Sequence, residues 1–131
     1  MASAGPALID TDVLIWLTRG HARAAAAVAK LADWHVSAVT YMELVQGCRN
    51  KTELKTLQKT FLADSATLLP IESSISHRAC TLVEQYALSH HLQMADALIA
   101  ATALEHGLPL LTGNAKHFRT VPKLDLITFR P

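Results

Sequence analysis

Five polar side chains stand where the chain is otherwise apolar, and their types are those that bind hard cations. Asp10 and Asp12 directly follow a short apolar run, and Asn114 follows another one near the end of the chain. Glu43 and Asp96 each interrupt an apolar stretch with helical periodicity. Carboxylate and amide oxygens are the ligands that Mg²⁺ and Mn²⁺ prefer, and these ions bind phosphate oxygens. The set predicts metal-assisted chemistry on a phosphate, provided that the fold brings its members together.

Each of these side chains also has an ordinary structural explanation. Thr40 can open a helix and form a T-x-x-E capping box with Glu43. Asp96 can complement a helix dipole from the first turn, and the remaining three side chains can be N-caps. Taken together, however, several acids at one edge of a sheet repel one another unless a cation neutralises them.

The elements that must position these side chains follow from short apolar runs that alternate with longer helical stretches. Strands are predicted at 7–9, 34–37, 67–71, 108–112 and 124–127, and helices at 21–33, 40–47, 51–64, 73–89 and 93–105. Ser73 or Ser74 is expected to cap the helix over 73–89, and left-handed Gly107 to follow the helix over 93–105. Strands separated by long helices favour an α/β fold with a parallel sheet. Active sites in such sheets form beyond the carboxyl ends of the strands.

Length and composition limit the class of protein. The chain has 131 residues, 50% of them hydrophobic, with 12 Lys and Arg against 11 Asp and Glu and a formal net charge of +1. These values predict a single domain over residues 1–131, and exclude a disordered tail or a strongly basic arm. No long apolar stretch or signal-peptide pattern occurs, so we expect a cytoplasmic protein with no membrane segment. Cys48 and Cys80 form no CxxC pair, and Cys80 is expected to be a buried free thiol.

Four ordered segments resemble the PIN domain and, more narrowly, VapC-type toxins of bacterial toxin–antitoxin pairs. They are LIDTDVLI from Leu8, SAVTYMELVQG from Ser37, DALIAATAL from Asp96 and LTGNAKHF from Leu111. The resemblance extends from residue 7 to residue 128. It implies a three-layer α/β/α sandwich with a parallel sheet of four to five strands. It also implies a Mg²⁺- or Mn²⁺-dependent endoribonuclease that leaves 5′-phosphates and 3′-hydroxyls.

The resemblance assigns roles to particular positions. Asp10, Glu43 and Asp96 match the three acids of the family, which implies that they are catalytic and hold the metal, and Asn114 matches the fourth catalytic position. Glu43 is expected to orient the attacking water, to accept its proton or to bind the metal through water. His117 either approaches the substrate or lies on the surface of a short helix. Three further side chains are expected around the metal ligands: Thr11, Asp12 and Thr112.

A basic cluster and several partners complete these expectations. Lys51, Lys55 and Lys59 recur at every fourth residue and follow Arg49, so this face either contacts the RNA backbone or is solvated surface. The resemblance implies a cognate antitoxin, an RNA substrate and a homodimer. An antitoxin would have to cover the acidic cleft, and an inserted Arg or Lys would replace the cation there.

Two other functions remain open from the sequence. The D-x-D pattern at Asp10 resembles that of aspartyl-phosphate phosphatases, but these enzymes also need a downstream lysine and a late acidic pair. The last third of the chain offers only Asp96, Glu105 and Asp125 for that pair. The second alternative is a catalytically silent PIN-like module that binds RNA or protein. Divalent-dependent RNA cleavage by the protein separated from its partner discriminates among the three.

Overall fold

Short strands alternate with helices along the chain, as the apolar pattern predicts. The structure is a computed structural model that describes residues 5–63 and 66–131. The strands are β1 (Ala7–Ile9), β2 (Trp34–Ser37), β3 (Thr67–Leu69), β4 (Leu110–Thr112) and β5 (Leu126–Thr128). The helices are α1 (Thr11–Thr18), α2 (Ala22–Ala29), α3 (Ala38–Gln46), α4 (Lys51–Ala63), α5 (Ser73–His90), α6 (Met94–Glu105) and α7 (Ala115–Phe118).

The five strands form one sheet in the order β3-β2-β1-β4-β5, and every neighbouring pair is parallel. This confirms the expected parallel sheet. The chain moves outward from β1 to β2 and β3, and later returns to the other side of β1 as β4. Because the connections diverge at this point, a crevice forms beyond the carboxyl ends of β1 and β4. The first and fourth strands therefore decide where a site can lie.

Alternation along the strands sends side chains to the two faces of the sheet. Leu8 and Leu110 join a cluster formed with α5 and α6, whereas Ile9 and Leu111 join a cluster formed with α1, α2 and α4. Helices thus cover both faces, and the expected three-layer α/β/α arrangement is confirmed.

Helix α6 lies almost entirely within the core. Its residues 97 and 99–103 are buried, and most of them are alanines, which let the helix approach its neighbours closely. Asp96, in the first turn, is half-buried and is the acid nearest the buried part of this helix. Among the described helices, none combines the length and apolar character needed to cross a membrane.

The first helical region differs from its predicted bounds. The helix predicted over 21–33 is α2, which is shorter than expected and ends at Ala29, and α1, over Thr11–Thr18, precedes it where no helix is predicted. Gly20 separates them with a φ of +76°, a left-handed conformation that glycine adopts without strain. Because α1 starts directly after β1, the residues that follow this strand are fixed in the first helical turn.

Three local predictions are wrong: the N-cap of α3, the N-cap of α5 and the burial of Cys80. Ser37, not Thr40, caps α3, since its hydroxyl accepts a hydrogen bond from the backbone N–H of Val39 at 3.1 Å. Glu72 occupies the N-cap position of α5, so neither serine after it is the cap. Cys80 is exposed on α5, because it follows the buried Ala79 on the next, outward position of the helix. The left-handed glycine after α6 is confirmed, with a φ of +62° at Gly107.

Candidate active site

Asp10 occupies the crevice between the carboxyl ends of β1 and β4. It is the N-cap of α1, and its Oδ1 accepts a hydrogen bond from the backbone N–H of Thr11 at 2.8 Å. The hydroxyl of Thr112, the last residue of β4, donates to Asp10 Oδ2 at 2.8 Å. Only 4% of Asp10 is exposed. The carboxylate is therefore held between two strands by two neutral donors.

Burial dominates the electrostatics of Asp10. The pKa of this carboxyl is raised to about 7, mainly by burial and then by the charge on Asp12, while the hydrogen bonds from Thr112 and Thr11 act in the opposite direction. Desolvation penalises the charged form, and neutral donors recover only part of that cost. A cation close to Asp10 would favour its ionised form.

Glu43 reaches the same crevice from α3. The hydroxyl of Thr11 donates to Glu43 Oε1 at 2.7 Å and shares a second hydrogen bond, of 3.1 Å, with the hydroxyl of Thr40. Thr40 and Glu43 are three residues apart and so lie on one face of α3. Thr40 is fully buried and contacts α1, which is a different role from the capping box that the sequence suggests.

Asp12 joins the start of α1 to the loop after β4. Its Oδ1 accepts from the backbone N–H of Val13 and its Oδ2 from that of Gly113, each at 2.9 Å. The second bond spans 101 positions of the sequence. A Cβ at position 113 would collide with Asp12 Oδ2, so only glycine allows this approach. We call this arrangement the Asp12–Gly113 clamp.

Asn114 follows the clamp and begins α7. Its backbone N–H donates to the Thr112 hydroxyl at 2.9 Å, and that hydroxyl in turn donates to Asp10. Asn114 occupies the N-cap position of α7, as the structural interpretation of the sequence expects, but its side chain makes no capping hydrogen bond. The exposed amide is available for other contacts.

Asp96 approaches the crevice from the first turn of α6. Burial raises the pKa of this carboxyl; the charge on His117 lowers it, and the charges on Glu43 and Asp12 raise it. Because Coulombic effects fall with distance and are screened beyond about 10 Å, the charged groups of His117, Glu43 and Asp12 lie in the neighbourhood of Asp96. His117, on α7, is therefore a positive group beside the acids when it is protonated. We call the region formed by Asp10, Asp12, Glu43 and Asp96 the acid cleft.

Nothing in the described part of the chain neutralises the acid cleft by an ion pair. The ion pairs found there lie elsewhere and are Asp33–His35, Arg49–Glu53 and Arg78–Glu105. Nor do three His, Cys, Asp or Glu side chains among the described residues converge closely enough to enclose a bare metal ion. Mg²⁺, however, keeps several of its waters and is commonly bound through one or two carboxylates. The donor set therefore fits a hydrated divalent cation.

A groove of about 810 Å³ leads away from Glu43 between α1, α3 and α4. We call it the α4 groove; Arg19, Arg49, Thr52 and Glu53 are among its lining residues. The stripe of three lysines on α4 does not line it. At 100° per residue, Lys51, Lys55 and Lys59 turn away from the groove-lining threonines of the same helix. Arg49 is separated from them by its pairing with Glu53 at 2.8 Å.

Two contributors to this site escape sequence reasoning. Thr40 carries a capping signature that the backbone does not use, and its contact with Thr11 depends on the packing of α1 against α3. Gly113 meets Asp12 only after β4 has paired with β1. In the sequence, the glycine at position 113 is the one signal that indicates a close approach of another group to this loop.

Comparison with known proteins identifies the family. A family model, the PIN domain, matches residues 7–124. Ribonuclease VapC19 of Mycobacterium tuberculosis is 34% identical over 123 residues, which cover 90% of this chain and 96% of the relative. Ribonuclease VapC of Rickettsia bellii is 30% identical over 127 residues, or 92% and 94% of the two chains.

Solved structures agree with this placement. A toxin–antitoxin complex from Klebsiella pneumoniae contains a chain 31% identical to this one, with a TM-score of 0.75 over 93% of this chain and 96% of that one. VapBC2 from Rickettsia felis, bound to a promoter DNA fragment, has a TM-score of 0.78 over 95% and 99% at 19% identity, which supports the fold alone. With the fold, the acid cleft and these relatives in agreement, the chain belongs to the PIN-domain family and, within it, to the VapC ribonucleases.

Proposed function

We propose that this VapC ribonuclease is a Mg²⁺- or Mn²⁺-dependent endoribonuclease and the toxin of a toxin–antitoxin pair. The observation that carries the proposal is the state of Asp10, which is 4% exposed, has a pKa of about 7 and has a second carboxylate beside it. A protein gains no stability from such an arrangement, and perturbed acids of this kind cluster at functional sites. The family membership makes RNA the substrate class.

The residues of the acid cleft have different roles in this proposal. Asp10, Glu43 and Asp96 would hold the ion, directly or through its waters. When bound, the ion supplies a water of lowered pKa and polarises the scissile phosphate. Thr112 and the backbone N–H of Thr11 fix both oxygens of Asp10 in one orientation, so the carboxylate does not have to reorganise.

Glu43 is placed to act on the attacking water. The Thr11 hydroxyl occupies Oε1, so Oε2 is the oxygen left to orient that water or to take its proton. The water oxygen then bonds to phosphorus while the bond from phosphorus to the 3′-oxygen breaks. The Asp12–Gly113 clamp holds the loop that carries Asn114, whose amide adds an oxygen ligand without another negative charge.

An antitoxin is the partner that this site requires. Several solved relatives are toxin–antitoxin complexes. We propose that the antitoxin of this chain places an Arg or Lys in the acid cleft, where its charge replaces that of the metal. The α4 groove offers the approach, because it opens at Glu43. The homodimer, and RNA contact by Arg49, Lys51, Lys55 and Lys59, stay predictions.

The proposal is tested with the protein purified away from its partner. We expect it to cleave RNA in Mg²⁺ or Mn²⁺, to stop in EDTA, and to resume when the metal is restored. A folded protein that binds RNA but cleaves none with either ion would support the silent binding module instead. Hydrolysis of a phosphate monoester without RNA cleavage would support the phosphatase alternative.

A further inference from the structure

A second groove, of about 340 Å³, lies between α2 and β5. We call it the β5 groove. Its charged lining residues are Arg23 and Lys30 on the α2 side and Arg130 after β5. Ile127 and Phe129 contribute to an apolar floor. All three cationic side chains belong to exposed residues.

The spacing on α2 keeps this groove open and charged. Arg23 and Lys30 are seven residues apart, which is two helical turns, or about 10 Å along the axis on one side of the helix. Ala26 and Ala27 line the wall between them. Their small side chains leave a trough with a cation at each end, and Arg130 faces it from the strand side.

The charge in the β5 groove is uncompensated by any acidic side chain that lines it, in the part of the chain that the structure describes. Arg23 Nη1 donates to the oxygen of Pro131 at 3.4 Å, a long contact with a main-chain atom. In the α4 groove, by contrast, two arginines face Glu43 and Glu53. Three positive charges therefore collect in one place on a chain whose net charge is only +1.

The β5 groove adjoins the acid cleft. The backbone N–H of Phe129 donates to the carbonyl of Thr112 at 2.8 Å, and the hydroxyl of the same threonine donates to Asp10. The contact between Arg23 and Pro131 lies beyond the carboxyl end of β5, which is the edge that carries the acids. A chain of phosphates with one phosphate in the cleft would thus enter the groove at Arg23 and Arg130, and would reach Lys30 two helical turns further along α2, toward the amino ends of the strands.

We propose that the β5 groove binds the phosphate backbone of the RNA substrate beside the scissile bond, through Arg23, Lys30 and Arg130. The inference rests on the proposed ribonuclease function and adds a binding site to it. Arg23 and Lys30 lie about 10 Å apart along α2, a distance that a chain of phosphates can span and a single small anion cannot. Guanidinium groups donate in pairs to phosphate oxygens. The apolar floor lies where the sugars or bases next to that chain would rest.

The test is the binding of a fluorescent single-stranded RNA in EDTA, which prevents cleavage, at salt concentrations between about 50 and 200 mM. The variant Arg23→Gln/Lys30→Gln/Arg130→Gln is expected to weaken binding at least about tenfold at the lowest salt. Three lost phosphate contacts should reduce the slope of log affinity against log salt by about 2. The matched control, Arg23→Lys/Arg130→Lys, keeps the charges and should keep the slope. With metal present, the triple variant should raise KM and leave kcat unchanged.

The outcomes separate this inference from the proposed function. If the wild type cleaves RNA and the triple variant binds RNA with unchanged affinity and slope, the inference is overturned and the ribonuclease stands. If the wild type cleaves no RNA, the proposed function fails, while the binding comparison still tests the groove. A triple variant that keeps its RNA affinity but loses its complex with the antitoxin would make the groove a site for an acidic protein segment, and would overturn the RNA assignment. Unchanged thermal melting of the variants shows that the fold is retained.

Discussion

The acid cleft and the β5 groove meet at the carboxyl edge of the sheet and differ in almost every physical property. The cleft contains four acids, among them the buried Asp10, whose carboxylate accepts hydrogen bonds from a neutral hydroxyl and a backbone N–H. The groove gathers three cations on exposed residues and contains no acid that lines it among the described residues. Thr112 and its loop separate the two regions. A net charge near zero therefore conceals two local fields of opposite sign.

The difference shows which of the two regions lowers the stability of the fold and which does not. Burial raises the pKa of Asp10 and of Asp96, so the ionised carboxylates of the cleft work against stability, as perturbed groups at functional sites commonly do. The cations of the groove keep their solvent and cost little. Changes in the cleft should therefore alter chemistry and stability in opposite directions, whereas changes in the groove should alter only binding and its dependence on salt.

The largest effect is expected from Asp96→Asn. Losing one negative oxygen should lower metal-dependent RNA cleavage at least about a hundredfold. The melting temperature in EDTA should stay the same or rise, since repulsion from Glu43 and Asp12 is relieved. The gain in melting temperature on adding Mn²⁺ should shrink, because ligand stabilisation follows affinity.

The matched control for this variant is Asp125→Asn, which removes the same charge at an exposed position away from the cleft. It should cleave like the wild type. Near wild-type cleavage by Asp96→Asn would show that Asp96 is not part of the active site. It would also weaken the contrast between the acid cleft and the β5 groove.

The second prediction concerns pH. Because the pKa of Asp10 is about 7 in the folded protein against 3.8 in its ordinary state, the folded protein binds more protons than the unfolded chain between these values. The free energy of unfolding in EDTA should therefore fall as pH rises from about 4 to about 7. Asp10→Asn should lack this contribution, which is on the order of a few kcal/mol. Urea unfolding at a series of pH values measures it, and parallel curves for the two proteins would contradict the buried, uncompensated state of Asp10.

A smaller effect is expected from Gly113→Ala, which opens the Asp12–Gly113 clamp. The added Cβ would collide with Asp12 Oδ2, so either this carboxylate or the loop that carries Asn114 must move, and the hydrogen bond between Asp12 and Gly113 is lost. We expect a loss of about 1–3 kcal/mol in unfolding free energy, from the broken hydrogen bond and strain. Cleavage should fall about tenfold through misplacement of the loop. Gly5→Ala has open space around its Cβ and is the control; equal behaviour of both variants would show that the clamp has no role.

The smallest effect is expected from the lysine stripe of α4. Replacing Lys51, Lys55 and Lys59 with Ala should weaken RNA binding and flatten its salt dependence, with no change in metal binding. Because these lysines turn away from the groove that opens at Glu43, we expect a change in slope smaller than that of the β5-groove triple variant. A larger change for the lysine stripe would reverse our ranking of the two basic surfaces, and no change would make the stripe solvated surface.

Much of this architecture could be predicted because local patterns determine it. Apolar runs and helical periodicity locate the strands and most helices, and the strand ends direct attention to Asp10 and Asn114. The misplaced caps of α3 and α5 show where such patterns mislead, since several serines and threonines compete for one position. The β5 groove could not be predicted, because Arg23 and Arg130 belong to elements more than a hundred residues apart. The Asp12–Gly113 clamp depends in the same way on a pairing that appears only in the folded sheet.

The pairing of β1 with β4 has a consequence for the timing of synthesis. Asp10 obtains its hydroxyl donor from Thr112, 102 positions later, and Asp12 obtains a donor from Gly113, 101 positions later. Domains fold as the chain emerges, at about 5–20 residues per second, and contacts between distant positions form last. A nascent chain on the ribosome therefore carries all its early acids with no assembled centre. The acid cleft is therefore complete only when the segment that carries Thr112 and Gly113 has left the exit tunnel and β4 has paired with β1.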